Sequence, residues 1–125
     1  MSSLRVLLVD DEEELVGTIQ ERLEMRGIMA QAVTTGHEAL EQIQRSPFDV
    51  VVVDLMMPGL GGLDVVKVIR EKQPSTQVLL ITGHGSRHDE MADLVARGYR
   101  ILLKPFRIDR LIAMIREAAS GEAER

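Results

Sequence analysis

Five side chains stand out for the chemistry they carry: Asp10, Asp11, Asp54, Thr82 and Lys104. Three are carboxylates, one is a hydroxyl and one is an ammonium. Asp54 follows four consecutive valines and precedes Leu55-Met56-Met57-Pro58-Gly59, a turn through which no helix continues. A carboxylate so placed can be a metal ligand, a nucleophile or a cap. Carboxylates packed together raise one another's pKa unless a cation offsets the repulsion. Oxygen donors with no His or Cys among them favour Mg2+, and they also accept Mn2+. A carboxylate nucleophile beside such an ion, a lysine and a hydroxyl suits phosphoryl transfer, where the protein mostly positions groups and neutralises charge.

Each residue alone has a plainer explanation. Asp10 and Asp11 open the acidic run Asp10 to Glu14, which would stabilise a helix N-terminus by capping and through the macrodipole. Asp54 could bond to its own turn. Thr82 before Gly83 suits a turn, and Lys104 before Pro105 suits a charged surface. The functional reading rests on whether the fold brings all five to one place.

The elements that must position them alternate regularly. Apolar strands are predicted at 4–9, 28–33, 49–53, 77–81 and 100–103, each followed by a helical pattern. The first helix, 13–26, carries Leu15, Val16, Ile19, Leu23 and Met25, and Gly27 stops it. Thr35 and Glu38 form a capping box for the second helix, which Ser46-Pro47 ends. Leu63, Val66 and Ile69 mark the third helix, which Gln73-Pro74 closes. Ser86 and Asp89 form a second capping box, opening a fourth helix that Gly98 closes. Ile108, Leu111, Ile112 and Ile115 stripe the fifth. Strands alternating with helices over short loops require parallel pairing and right-handed crossovers. The expected architecture is α/β, a flavodoxin-like doubly wound sheet of order 2-1-3-4-5 with five helices. In that order the carboxyl ends of strands one, three, four and five are neighbours, so the five residues converge on one edge.

Composition narrows the class. The 125 residues fit a single domain, 1–125, with its core at about 4–119 and a polar tail at 120–125. Hydrophobic residues make up 45% and aromatics only 2%, which predicts an aliphatic core and no stacking platform for single-stranded nucleic acid. A net charge of −5 points away from direct nucleic acid binding. There is no Cys for a disulfide or thiolate site, and no apolar run is long enough to span a membrane. Met1-Ser2-Ser3 leads straight into a strand without the layout of a signal peptide, which predicts a cytoplasmic location.

Val9-Asp10-Asp11, Asp54 through Gly59, Thr82-Gly83 and Lys104-Pro105-Phe106 together resemble the receiver domain of two-component response regulators. The resemblance implies that Asp54 is the phosphoacceptor, taking its phosphoryl group from a sensor histidine kinase or a phosphotransfer protein. It implies Mg2+ ligation by Asp11, Asp54 and the Met56 backbone carbonyl, with Asp10 assisting through bound water. Lys104 would pair with a phosphoryl oxygen or, before phosphorylation, with Asp54, and Thr82 would donate its hydroxyl to the phosphoryl group. It also implies a cis peptide before Pro105, and a surface at 86–119 that shifts on phosphorylation to bind a partner or form a homodimer.

The chain departs from that family where an aromatic residue is usual three positions before the lysine: Ile101 stands there, and Tyr99 lies two residues earlier. One reading is a replaced switch with Tyr99 supporting a different output surface; the other is that Ile101 is simply a packed strand residue. Met56 and His84, two residues after Asp54 and Thr82, should flank the path of an attacking water. Met56 offers that water no hydrogen bond, which predicts slow self-dephosphorylation. His84 suits a solvated loop better than a catalytic base.

Other classes fit less well. An aspartate-nucleophile phosphatase of the haloacid-dehalogenase type wants an Asp where Met56 stands. A flavodoxin would need a phosphate cradle where Asp10 and Asp11 would repel it. A constitutive interaction module that keeps the fold without phosphorylation remains open through Ile101. The chain is expected to be a stand-alone receiver or part of a longer protein.

Overall fold

The computed structural model describes residues 4–83 and 88–121. Its elements run β1 (Arg5–Val9), α1 (Glu13–Met25), β2 (Met29–Val33), α2 (Gly36–Arg45), β3 (Val50–Asp54), α3 (Gly62–Lys72), β4 (Gln77–Thr82), α4 (His88–Ala96), β5 (Arg100–Leu103) and α5 (Ile108–Ala119). The strands form one sheet in the order β2-β1-β3-β4-β5, and every pairing is parallel. This is the expected doubly wound arrangement.

β3 lies at its centre because its side chains are apolar on both faces. All five of its residues are buried. Successive strand residues point to opposite faces, so Val50 and Val52 pack on one side and Val51 and Val53 on the other. The first side joins Val16, Ile19 and Leu23 of α1 to Leu111, Ile112, Met114, Ile115 and Ala118 of α5. The second receives Ala39 and Ile43 of α2, Val65, Val66 and Ile69 of α3, and Leu94 of α4. Each fully buried aliphatic side chain contributes about 1.5–3 kcal/mol relative to exposure, so these two layers fix the sheet from which the loops at its carboxyl edge emerge.

Helix ends follow local chemistry. Thr35 accepts a hydrogen bond from Glu38 N, completing one half of the expected box. Glu38 reaches back to Thr34 N, one residue further than the usual reciprocal partner. Gly27 and Gly98, at φ 77° and 93°, terminate α1 and α4 in the left-handed region. Ser86 and the expected box with Asp89 lie outside the described residues.

Two apolar residues differ from expectation. Leu63 is 52% exposed, because α3 turns Gly62, Val65, Val66 and Ile69 inward at i, i+3, i+4 and i+7. Met25, at the last turn of α1, is likewise exposed, while Val16, Ile19 and Leu23 hold the buried stripe.

At the opposite edge from the site, Gln73 forms an interlock. Its amide nitrogen donates to the carbonyls of Ile43 and Ser46 at 2.6 and 2.8 Å. Its amide oxygen accepts from Phe48 N at 3.1 Å and Thr76 Oγ1 at 2.9 Å. One side chain thus satisfies backbone groups where α2, α3 and β3 meet.

Candidate functional site

The register determines which residues meet. Val9 pairs with Val53, Asp54 with Ile81 and Thr82 with Leu103. Asp10, Asp54, Thr82 and Lys104 therefore emerge side by side at the carboxyl edge, although 50 residues separate Asp54 from Lys104. Lys104 N also donates to the Thr82 carbonyl at 2.7 Å, which extends the β4–β5 ladder to the lysine itself. The Lys104–Pro105 bond is cis.

Asp54 is buried and its two oxygens have different partners. Oδ1 accepts from Met56 N at 2.8 Å, and Oδ2 accepts from Lys104 Nζ at 3.1 Å. The turn after Asp54 is held close by glycines. A Cβ on Gly62 would lie 2.6 Å from the Asp54 carbonyl oxygen, and one on Gly36 would lie 2.7 Å from that of Leu60. No larger residue fits at either position without displacing backbone.

Asp10, Glu12 and Asp54 each place one carboxylate oxygen within 4.8 Å of the others. Lys104 sits among all three. Its Nζ donates to Glu12 and Asp54 and lies 2.9 Å from Asp10 Oδ2. The Asp10 contact is a close ion pair without hydrogen-bond alignment, so buried Oδ2 has no hydrogen-bond partner. Asp10 Oδ1 accepts from Glu12 N at 3.0 Å, which turns the start of α1 toward the lysine.

Burial pushes the Asp10 carboxyl up to about 6, against the lowering effect of its Glu12 backbone bond and of Lys104. Burial also works against the Lys104 ammonium, but its contacts with Glu12, Asp10 and Asp54 outweigh this and hold it above the ordinary lysine range. Three carboxylates around one ammonium leave excess negative charge. That excess and the unbonded Asp10 Oδ2 fit a small hard cation with oxygen ligands.

The expected residues are not all equivalent in place. Asp10, Asp54 and Lys104 converge, and Thr82 is buried at the neighbouring strand end. Asp11 is exposed and lies outside the group of three carboxylates. Glu12 takes the third place; in the sequence it looks like one more acid of a helix-opening run. Met56 is 51% exposed at the rim, while Met57 is buried and packs in the second core layer. Tyr99 and Ile101 lie against that same layer, partly buried. The Tyr99 ring takes the Arg70 guanidinium at 5.0 Å from its centroid. His84 lies outside the described residues, as does most of the loop that enters α4.

A parallel 2-1-3-4-5 sheet with an acidic pocket and a lysine at its carboxyl edge is the arrangement typical of a phosphorylatable receiver domain of two-component signalling rather than of a classical enzyme. Residues 6–116 match the response regulator receiver domain, and the chain belongs to that family. It is 37% identical over 111 residues to the sensory transduction protein RegX3 of Mycobacterium tuberculosis, covering 89% of this chain and 48% of RegX3. The receiver domain of the Francisella response regulator 1452 superposes with a TM-score of 0.82 at 30% identity, covering 95% of this chain and 98% of that one. The response regulator TrrA of Thermotoga maritima, solved in complex with Mg(2+)-BeF, gives 0.77 at 28% identity, with 92% and 98% coverage. The chain spans about half the length of the curated relatives it matches. Among the described residues no helix is long and apolar enough to cross a membrane.

Proposed function

We propose that this chain is a phosphorylation-controlled switch in which Asp54 accepts a phosphoryl group from a phosphohistidine of a sensor histidine kinase or phosphotransfer protein. The observation that carries this reading is Asp54 itself: a buried carboxylate at the end of the central strand, in contact with Lys104 and grouped with two further acids. A carboxylate oxygen of Asp54 attacks phosphorus, the phosphorus–nitrogen bond breaks, and the imidazole leaves with its electron pair. Lys104 meets the phosphoryl oxygens on one side and the Thr82 hydroxyl donates from the neighbouring strand.

Asp10, Asp11, Asp54 and the Met56 carbonyl are the groups that would hold Mg2+, or Mn2+ in its place. The ion's contribution would be charge neutralisation between acids and phosphoryl oxygens. Phosphorylation adds charge and acceptor oxygens at the edge where β4 and β5 end. The surface at 86–119 then shifts its population toward a form that binds a partner or a second copy. Tyr99, just before β5, and Ile101 within it, both packed against the second core layer, are the residues through which that shift would pass. The receiver unit is taken as 1–125, with its core at 4–119.

Intact mass after incubation with acetyl phosphate, with and without Mg2+, tests this directly. The expected result is a Mg2+-dependent gain of one phosphoryl group, absent in Asp54→Ala. No gain in the parent, with acetyl phosphate or with a phosphorylated kinase, would favour a constitutive interaction module.

A further inference from the structure

Lys104 is committed to three partners, and they differ in how readily they can be given up. Its own side chain is 18% exposed; those of Asp10 and Asp54 are 3% and 4% exposed, and that of Glu12 is 58% exposed. An ammonium has three donors and no acceptor. Two of these are engaged, by Glu12 and Asp54, so phosphoryl oxygens arriving on Asp54 compete with those bonds and with the Asp10 ion pair for the ammonium. Releasing Asp10 leaves a buried carboxylate without that counterion, which is costly, and the Asp54 contact passes to the phosphoryl oxygens that Asp54 then carries. Releasing Glu12 leaves a carboxylate that water can reach at once. Glu12 is therefore the exchangeable partner, and the Asp10–Glu12 backbone bond keeps it within reach.

We propose that Glu12 is a positioning residue that holds the Lys104 ammonium at the rim of the acidic site and releases it when phosphoryl oxygens arrive on Asp54. The inference rests on Asp54 being the acceptor. The Glu12–Lys104 contact opposes the phosphorylated state, because it competes with the phosphoryl oxygens for the ammonium. Removing it favours the phosphorylated state by the worth of a largely exposed ion pair, about two- to five-fold.

Loss of a nearby negative charge would also ease the approach of an anionic donor, so the test must separate the two. Phosphorylation rate with acetyl phosphate at fixed Mg2+ is measured for the parent, Glu12→Gln, Lys104→Met and the double variant. Beryllofluoride affinity is measured on the same four proteins, as a readout that needs no chemistry from them. Glu12→Gln is expected to raise both rate and affinity about two- to five-fold when Lys104 is present, and to change neither in the Lys104→Met background. An equal gain in both backgrounds, or no gain in either, overturns the positioning role and leaves the acceptor assignment standing. A parent that takes neither phosphoryl nor beryllofluoride overturns the acceptor assignment, and this inference with it.

Discussion

Gly62, the first residue of α3, packs against the backbone of Asp54 so closely that an added Cβ would lie 2.6 Å from the Asp54 carbonyl oxygen and 3.0 Å from Leu55 Cα. The loop that carries Met56 to Gly61 is thereby folded onto the end of β3, and α3 starts directly against the backbone of Asp54. Gly62→Ala forces backbone apart at the site itself. Its expected cost is about 1–3 kcal/mol, the range for overpacking, read as a lower urea midpoint. Phosphorylation by acetyl phosphate should also slow, because Asp54 moves relative to Lys104.

That approach was not legible in the sequence, where Gly61-Gly62 signals only a turn. Strand and helix periods follow from side-chain pattern alone, so the sheet order and the convergence of Asp10, Asp54, Thr82 and Lys104 were readable. Close backbone packing depends on two segments meeting, and no local pattern encodes it. Gln73 is a similar case: beside Pro74 it marks a helix end, yet its four hydrogen bonds need partners from the end of α2, the segment leading into β3 and Thr76 before β4. Glu12 was hidden differently. In an acidic run at a helix start every member is explained by the macrodipole, and what singles this one out is the Asp10 bond to its backbone and its contact with Lys104. Asp11, equally prominent in the sequence, faces solvent.

Tyr99, in the turn that leads into β5, packs against Arg70 of α3. The guanidinium lies over the ring, and Nε donates to the phenol oxygen at 3.4 Å, a long bond that adds little. A double-mutant cycle of Arg70→Met and Tyr99→Leu in urea should give a coupling of about 0.5–1 kcal/mol, as for an exposed cation–π pair. Tyr99→Phe should retain most of it. If Ile101 has taken over the moving role, its rotamer should differ between unmodified and beryllofluoride-bound structures. An unchanged Ile101 beside a rearranged surface would leave Tyr99 as the element to follow.

The Thr35–Glu38 cap gives a pH-dependent prediction. Hydrogen bonds donated by Thr34 and Thr35 hold the Glu38 carboxyl below its usual range. A depressed acid adds stability above its unfolded pKa, and that contribution disappears as pH falls through the lower folded value. The stability difference between parent and Glu38→Gln should therefore be present at neutral pH and shrink below the ordinary glutamate range. Thr35→Ala, which removes the acceptor for Glu38 N, should cost about 1 kcal/mol.

Asp10 is retained at a cost to the fold. Its carboxylate is buried beside Asp54, and one of its oxygens has no hydrogen bond. Asp10→Asn removes one of three crowded negative charges. In EDTA it should stabilise the chain by about 0.5–2 kcal/mol, as substitutions that relieve a functional site commonly do. Mg2+ should raise the melting temperature of the parent through preferential binding to the folded state, and raise that of Asp10→Asn by less. A larger Mg2+ response in the variant would place the cation elsewhere.

Met56 governs the lifetime of the phosphoryl group on this reading. Its backbone is anchored by the bond from Met56 N to Asp54 Oδ1, which holds the residue at the rim of the site. A thioether there covers the approach to phosphorus without offering a hydrogen bond that would orient water. Met56→Asn supplies both a donor and an acceptor. A single such bond is worth about 0.5–1.5 kcal/mol net, which corresponds to hydrolysis faster by about two- to ten-fold. Met56→Leu, equally bulky and equally silent, should leave the rate unchanged. Loss of phosphate followed by intact mass after removal of the donor gives both rates. A Met56→Asn protein no faster than the parent would mean that access to the phosphorus is controlled by another residue.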